Sequence, residues 1–424
     1  MRLKTRSSST ARTDSDTDPP HETSGFRGPR EARFVGSLTG TPGDSARSRL
    51  LADWSGVRAV DHHCHPLRRW PARLDPNEFR ACFTEATDER VLTDHVPQTP
   101  LYRMLLRRLA PVFGCKPTEA AILTARHMLE PARYARELLE RSRTGMMLLD
   151  HGFGGSDAMT VEEHRAAVPI PQRQIVRVET LAEGLVEQHR RPEDWLDAVR
   201  SALEHAVRSG AVAVKTIVAY RASLRLRWPD HGTVRAEYAA LRQRAREGRA
   251  RLSGDPLCHS LVLVAAEECV RLGVPLQVHC GLGDMDADLA ESSPLGVRAL
   301  LTHPRFADLR VVLLHCYPFH REAAYLCSVH PGVFMDLSLA IPLATTDGAA
   351  ALREALGLCP WTKLLYATDA SRLPEMFLIA AELQREALAE ALGGLVVRQW
   401  LTFEEARDAG RMVLAGNARQ LYAL

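Results

Sequence analysis

The 424-residue chain is 46% hydrophobic and 25% charged, a composition that supports a substantial buried core in one large domain or two medium ones. Its net charge of +2, with histidines neutral, provides no field to gather nucleic acid or an anionic membrane. No apolar run approaches the ~20 residues of a membrane span or forms a leader core, so the expectation is a cytoplasmic protein acting on a small molecule, without nucleic acid or membrane as partner.

Residues 1–46 are rich in Ser, Thr, Arg, Asp, Gly and Pro and carry almost no aliphatic side chains. Such a stretch buries too little apolar surface to offset its ordering entropy, so it is expected to be a disordered tail preceding a domain over 47–424. The first strand-like run, Val57–His63, leads into Asp61-His62-His63-Cys64-His65-Pro66, where Pro66 removes a ladder donor. Alternation along a strand puts His63 and His65 on one side, roughly 6–7 Å apart, and His62 and Cys64 on the other. Alone, His-x-His at a strand end suits a metal pair or a polar end meeting water. Residues 75–145 read as amphipathic helices, with Leu101, Leu105, Leu106 and Leu109, then Ala132, Ala135, Leu138 and Leu139, at helical spacing. This helical insertion after strand 1 is expected to roof a site or meet a second copy of the chain, leaving room for a homo-oligomer.

Seven more strand-like runs follow: Met146–Asp150, Gln174–Glu179, Ala211–Ile217, Val274–His279, Arg310–His315, Gly332–Leu337 and Lys363–Asp369. Helical patterns such as Asp194–Ser209, Arg235–Arg251, Leu257–Leu272 and Pro294–Leu301 lie between them. The alternation predicts an α/β fold, a (β/α)8 TIM barrel, with a doubly wound sheet as the alternative. No Gly-x-Gly-x-x-Gly follows a strand, which weakens the dinucleotide form of that alternative. Two helices are expected to close the barrel: Pro374–Leu392, and one opening on the capping box Thr402-x-x-Glu405. The nine cysteines are odd in number and never form Cys-x-x-Cys, so they read as reduced thiols. Cys64, Cys280 and Cys316 each follow a strand-end histidine and face away from it.

In a parallel barrel the strand C-termini share one rim, so the polar residues that end apolar runs are informative. They are His63 and His65 on strand 1, Lys215 on strand 4, His279 on strand 5, His315 on strand 6 and Asp369 on strand 8. Each alone could simply meet water. Four imidazoles, an amine and a carboxylate on one rim point instead to a divalent metal, for which zinc is the natural choice. Only four of the 54 basic residues are lysines, and Lys215 is the one placed at such an end.

In this order of ligands, His63-x-His65, Lys215, His279, His315 and Asp369, the sequence resembles the amidohydrolase superfamily over nearly all of residues 55–424. The stretches Val214–Arg221, Gln277–Asp284 and Thr368–Met376 are similar to the amidohydrolase-related barrel fused to glutamine-synthetase-like domains in fungi and plants. Nothing follows Leu424, so a ligase domain and ligase function are not expected. The resemblance implies that His63, His65 and Asp369 hold one ion and His279 and His315 a second, bridged by a carbamate formed on Lys215. A one-ion alternative uses His63, His65, His279 and Asp369, leaving His315 to polarise substrate and Lys215 to bind a substrate anion.

Either arrangement would activate water, with Asp369 shuttling its proton. The expected function is metal-dependent hydrolysis of a carbon–nitrogen (amide or cyclic amide) or related bond. The alternatives are a metal-dependent decarboxylase of a small unsaturated or aromatic acid, to which a strand-4 lysine is not needed, and a non-catalytic scaffold. Arg221, Glu179, His320 and Arg321 are the candidate substrate contacts, while Asp150 and His151 could touch substrate or orient a ligand.

Overall fold

A computed structural model describes residues 42–69 and 73–424 of the chain. The expected tail therefore falls outside the described residues up to position 41, and regular structure begins before residue 47, with a helix over Pro42–Asp53.

Seven strands form one parallel sheet in sequence order: β1 (Ala59–Cys64), β2 (Thr144–Asp150), β3 (Gln172–Arg177), β4 (Ala211–Thr216), β5 (Leu276–Cys280), β6 (Val311–His315) and β7 (Val333–Met335). A parallel sheet needs cover on both faces, and the strands supply two apolar sets by alternation. Met147, Leu149, Val214, Val278 and Leu313 pack outward beneath the helices. Val60, Leu148, Ile175, Ala213, Val312, Leu314 and Leu365 face inward, where Ala415, Ala418, Leu421 and Tyr422 near the C-terminus fill the space between them. Adjacent strands in register, curled around this inner core, make the architecture TIM-barrel-like.

The run expected as an eighth strand, Lys363–Asp369, is not a regular strand, for identifiable reasons. Lys363 belongs to the 3-10 turn Trp361–Lys363. The Thr368 N–H, which a ladder would use, donates to the Asp61 carboxylate (2.9 Å), and Asp369 sits at φ +52°. The segment still lies between the two sheet edges. Leu365 N–H donates to Met335 O (2.9 Å) on β7, while Asp369 N–H donates to His63 O (3.0 Å) on β1.

Between β1 and β2 the chain forms helices Pro76–Arg80, Pro100–Phe113, Glu119–His127 and Pro131–Arg141. Helix Pro374–Val397 packs on Pro42–Asp53, and Phe403–Arg411 opens on the reciprocal Thr402–Glu405 capping box read from the sequence. Among the described residues no helix is long and apolar enough to cross a membrane. All nine cysteines are free, and Cys64, Cys280 and Cys316 are buried in the outer core.

Candidate active site

The strand ends bring His63, His65, Lys215, His279, His315 and Asp369 together. Nε2 of His63 and Nε2 of His65 each lie 3.2 Å from Oδ1 of Asp369. Lys215 Nζ lies 2.8 Å from His63 Nε2, and the rings of His279 and His315 stand 4.5 Å apart. Two of these residues, His315 (φ +65°) and Asp369 (φ +52°), adopt the left-handed backbone that non-glycine residues seldom occupy. Such a conformation persists where surrounding bonds over-determine it: the amide of His315 is held by Asp336 Oδ1 (2.8 Å) and that of Asp369 by His63 O.

Hydrogen bonds from the back of each ring decide which nitrogen faces the site. His65 Nδ1 lies 2.8 Å from the carbonyl of Asp150, which can only accept, so Nδ1 carries the proton. Gln277 donates through Nε2 to the His62 carbonyl (3.0 Å), which turns its Oε1 towards His63 Nδ1 (2.9 Å) and makes that nitrogen the donor too. His63 and His65 therefore present Nε2 lone pairs to a carboxylate oxygen. Three acceptors meet there, and Lys215 Nζ, 2.8 Å from His63 Nε2, donates to that nitrogen.

Nε2 of His279, Nε2 of His315 and Oδ1 of Asp369 are buried without hydrogen-bond partners. Protons do not fill the gap, because burial and the charge on Lys215 push the His63 imidazolium down to about 3, and burial with the neighbouring His315 holds His279 well below the usual imidazole range. The donor set of His63, His65 and Asp369, with ligand atoms within 4.8 Å of one another, fits a divalent cation.

Lys215 is buried, and burial lowers its pKa against the opposing pull of Asp150, whose Oδ2 lies 3.5 Å away. Asp150, at the end of β2, is in turn gripped by Arg177 through Nε (2.9 Å) and Nη2 (2.6 Å). Asp150, which sequence left open between orienting a ligand and touching substrate, thus holds His65 through its carbonyl and the lysine through its carboxylate.

The histidine run departs from simple alternation. The β1–β2 register shifts between Asp61 and Cys64, a bulge that puts His62 on the interior side with His63. Its ring stacks on Tyr422, while Cys64 alone faces the outer core, with Sγ donating to Leu148 O (3.6 Å).

A cavity of about 210 Å³ opens over the cluster. Arg221 lines it, with a buried Nε that makes no hydrogen bond and a guanidinium 3.9 Å from Glu183. The other three candidate substrate contacts do not. β3 stops at Arg177, so Glu179 falls in the first turn of the following helix, fully buried against Thr216 Oγ1 and the Ile217 amide (3.0 Å). His320 and Arg321 begin helix His320–Val329 and both bond Glu354, at 2.8 Å from His320 Nε2 and 2.7 Å from Arg321 Nη2.

The wall is completed by residues that sequence reasoning passed over: Glu85, Phe153, Arg177, Tyr220, Arg251, Asp284 and Leu339. Tyr220 and Asp284 stand inside the stretches that carried the resemblance and could have been found there. Glu85 lies in the insertion, where nothing periodic marks it. Burial, joined by the charges of Asp369 and Asp284, raises its carboxyl to about 7.

Gly281 ends β5 at φ +75°, and a Cβ there would stand 2.3 Å from Tyr317 O. We expect Gly281→Ala to cost at least about 2 kcal/mol, through left-handed strain and the clash together, measured by urea unfolding. A loss below about 0.5 kcal/mol would show that the loop after β5 can move aside.

Comparison with known proteins agrees with this geometry. Protein fluG of Emericella nidulans is 28% identical over 397 residues, taking in 86% of this chain and 45% of that protein, so the chain spans about half the length of this curated relative. A crystal structure from Lactobacillus casei ATCC 334, described as a metal-dependent hydrolase, is 29% identical, with a TM-score of 0.78 over 88% of this chain and 97% of that one. The glucuronate isomerase of Caulobacter crescentus, at 14% identity and a TM-score of 0.65 over 93% of this chain and 96% of that one, shares the fold alone. The amidohydrolase family model matches residues 60–424, a span that holds all six side chains of the cluster, and the chain belongs to that family of enzymes.

Proposed function

We propose that this chain is a hydrolase of a carbon–nitrogen bond, amide or cyclic amide, in a small molecule bearing an anionic group, working at a two-ion site on a closed (β/α)8 barrel. The observation that carries the reading is the set of buried lone pairs at one cavity floor, His63, His65 and Asp369 on one side and His279 and His315 on the other, with Lys215 between β3 and β5. His63, His65 and Asp369 would hold one ion, zinc by preference, and His279 and His315 the other. The barrel is closed in this reading by Leu364–Ala370 acting as the eighth stave.

Lys215 suits the bridge because burial favours its neutral amine. The amine attacks CO2, forming an N–C bond and releasing one proton, and the carbamate so formed offers two anionic oxygens where an ammonium would repel cations. A divalent ion bound here supplies Lewis acidity, lowering the pKa of a water and polarising the scissile carbonyl.

The protein's own groups do the rest. Asp369 accepts the proton of the attacking water and returns it to the leaving nitrogen, so that amide and water become carboxylate and ammonium. His315 stands beside Asp369 on the cavity floor, held from behind by Ser338 Oγ 2.8 Å from its Nδ1, and its unpartnered Nε2 is the atom left to meet an ion or the substrate carbonyl. Arg221 on the wall is placed to pair with the substrate's anion, and a cavity of about 210 Å³ suits a small molecule.

Metal content per chain, measured by elemental mass spectrometry on protein purified without chelator and with bicarbonate, tests the reading. We expect two ions in the wild type and one or none in Lys215→Ala. One ion in both would remove the carbamate bridge and favour decarboxylation, which CO2 release from trial acids would detect; no ion in either would overturn the metal reading.

A further inference from the structure

Besides the cluster and Arg177, five charged side chains line the cavity: Glu85, Arg221, Arg251, Asp284 and Asp286. Their charges do not cancel. Arg251 Nη2 pairs with Asp286 Oδ2 at 2.8 Å, which leaves Arg221 as the anion contact and the carboxylates of Glu85 and Asp284 over. Among the described residues neither carboxylate has an ion-pair partner; Asp284 Oδ1 accepts the Asp286 backbone amide (2.9 Å), and its Oδ2 makes no hydrogen bond.

The two carboxylates share one corner. Glu85 comes from the connection between β1 and β2, just after the turn Ala81–Phe83, and Asp284 from the loop after β5. The Thr87 hydroxyl donates to Met285 Sδ (3.5 Å), which joins these two loops beside the corner. Tyr220 completes it: its ring lies 4.4 Å from that of His279, and its hydroxyl fills the space a side chain at position 283 would need. Burial and the charges of Glu85 and Asp284 push the Tyr220 phenol up, a mark of the same closeness. The charges acting on Glu85 are those of Asp369, Asp284 and Arg372, and Arg221 is not among them, so the anion contact and the acidic corner are separate parts of the cavity. Arg372 stacks its guanidinium over Phe153, 5.4 Å from the ring centre, and does not offset the burial and like charges that raise Glu85. A solvated acidic face needs no partner. These groups instead open onto the cavity lined by the buried His279 and His315, whose Nε2 atoms are unpartnered.

We propose that the substrate is a zwitterion, with its anion at Arg221 and a protonated amine held by Glu85 and Asp284 beside Tyr220.

An ammonium bound there supplies the counter-charge that the protein withholds, through charge-assisted hydrogen bonds to two carboxylates, and the Tyr220 ring adds cation–π attraction. A simple anionic amide would cover both carboxylates without pairing them. Glu85 and Asp284 thus select among amides, while the cluster below them acts on whichever is bound.

The inference rests on the hydrolase reading above, and binding of unreactive probes keeps the two apart. Calorimetric titration of the protein purified without chelator would use γ-aminobutyrate, δ-aminovalerate and ε-aminocaproate, each against its parent acid, butyrate, valerate or caproate. In at least one pair the amino acid should bind about 10-fold or more tightly than the parent, and Glu85→Gln/Asp284→Asn should abolish that preference. Equal binding in every pair, or binding by neither member, overturns the zwitterion. A preference that survives in the double variant overturns the assignment to these two residues; should that variant not fold, Glu85→Gln alone should reduce the preference, and an unreduced one overturns the assignment. Amides cleaved with no regard to an amine would sink this inference and leave the hydrolase standing. Amine-dependent binding with no amide cleaved would do the reverse.

Discussion

Asp369→Asn should abolish turnover, by at least about 10³-fold, and yet leave the metal-free protein as stable as the wild type or more so. The two effects have one origin. In the wild type, Oδ1 of Asp369 faces Nε2 of both His63 and His65 at 3.2 Å, and the back-side bonds to Gln277 and Asp150 keep protons off both nitrogens. Without a cation these acceptors repel one another. An asparagine of the same shape turns an N–H to one of them and relieves an unsatisfied buried contact worth about 1–3 kcal/mol. The same change removes an anionic ligand and the proton carrier. Excess zinc stabilises whichever chain binds it, by mass action. Thermal melting of both chains, with chelator and with excess zinc, should therefore show the order of midpoints reverse: Asn at or above Asp in chelator, Asp well above Asn in zinc. An order that does not change would mean that the acceptor cluster is not built for a cation.

The distribution of that cluster along the chain explains why so much of it was legible. Strands buried on both faces read as apolar runs, and a polar residue that ends such a run stands out, so His279 and His315 mark the ends of Leu276–Cys280 and Val311–His315 almost by themselves. What the pattern cannot carry is any departure from regular backbone. The bulge in β1 that turns His62 inward adds no residue type that could announce it, and the run Lys363–Asp369 reads as a strand because its side chains are mostly apolar, although its Thr368 N–H goes to the Asp61 carboxylate and Asp369 turns to φ +52°. Glu179 shows a third limit. A strand that stops two residues early shifts the next side chain from the rim into the packing between Thr216 and the following helix. Loop residues such as Glu85 reach the cavity through the tertiary path of the insertion, which periodicity does not encode.

The second large effect concerns support rather than chemistry. Arg177→Met should destabilise the protein by about 3–5 kcal/mol at pH 7, since it strands a fully buried carboxylate at Asp150. Burial by itself raises the Asp150 carboxyl, and the charges of Arg177 and then Lys215 outweigh it and hold the group well below the usual range. A folded-state value below the unfolded value of about 3.9 contributes stability that is present above that pH and lost as pH falls through the folded value. With the guanidinium gone, burial dominates and the folded-state value rises above the unfolded one. The sign then reverses: the variant recovers stability as pH falls from 7 towards 4, and the gap to wild type narrows over that window.

Lys215 would be left as the main counter-charge to Asp150, held protonated and unable to react with CO2, so the variant should also lose metal. Replacing Asp150 with Asn in the same chain removes the stranded charge and should restore most of the stability while leaving the metal content low. Urea unfolding of wild type, Arg177→Met and Arg177→Met/Asp150→Asn at pH 7 and pH 5 separates these contributions. A gap under about 1 kcal/mol that is the same at both pH values would show that Asp150 does not depend on Arg177 for its charge, and the carbamate reading of Lys215 would lose the support that Arg177 gives it.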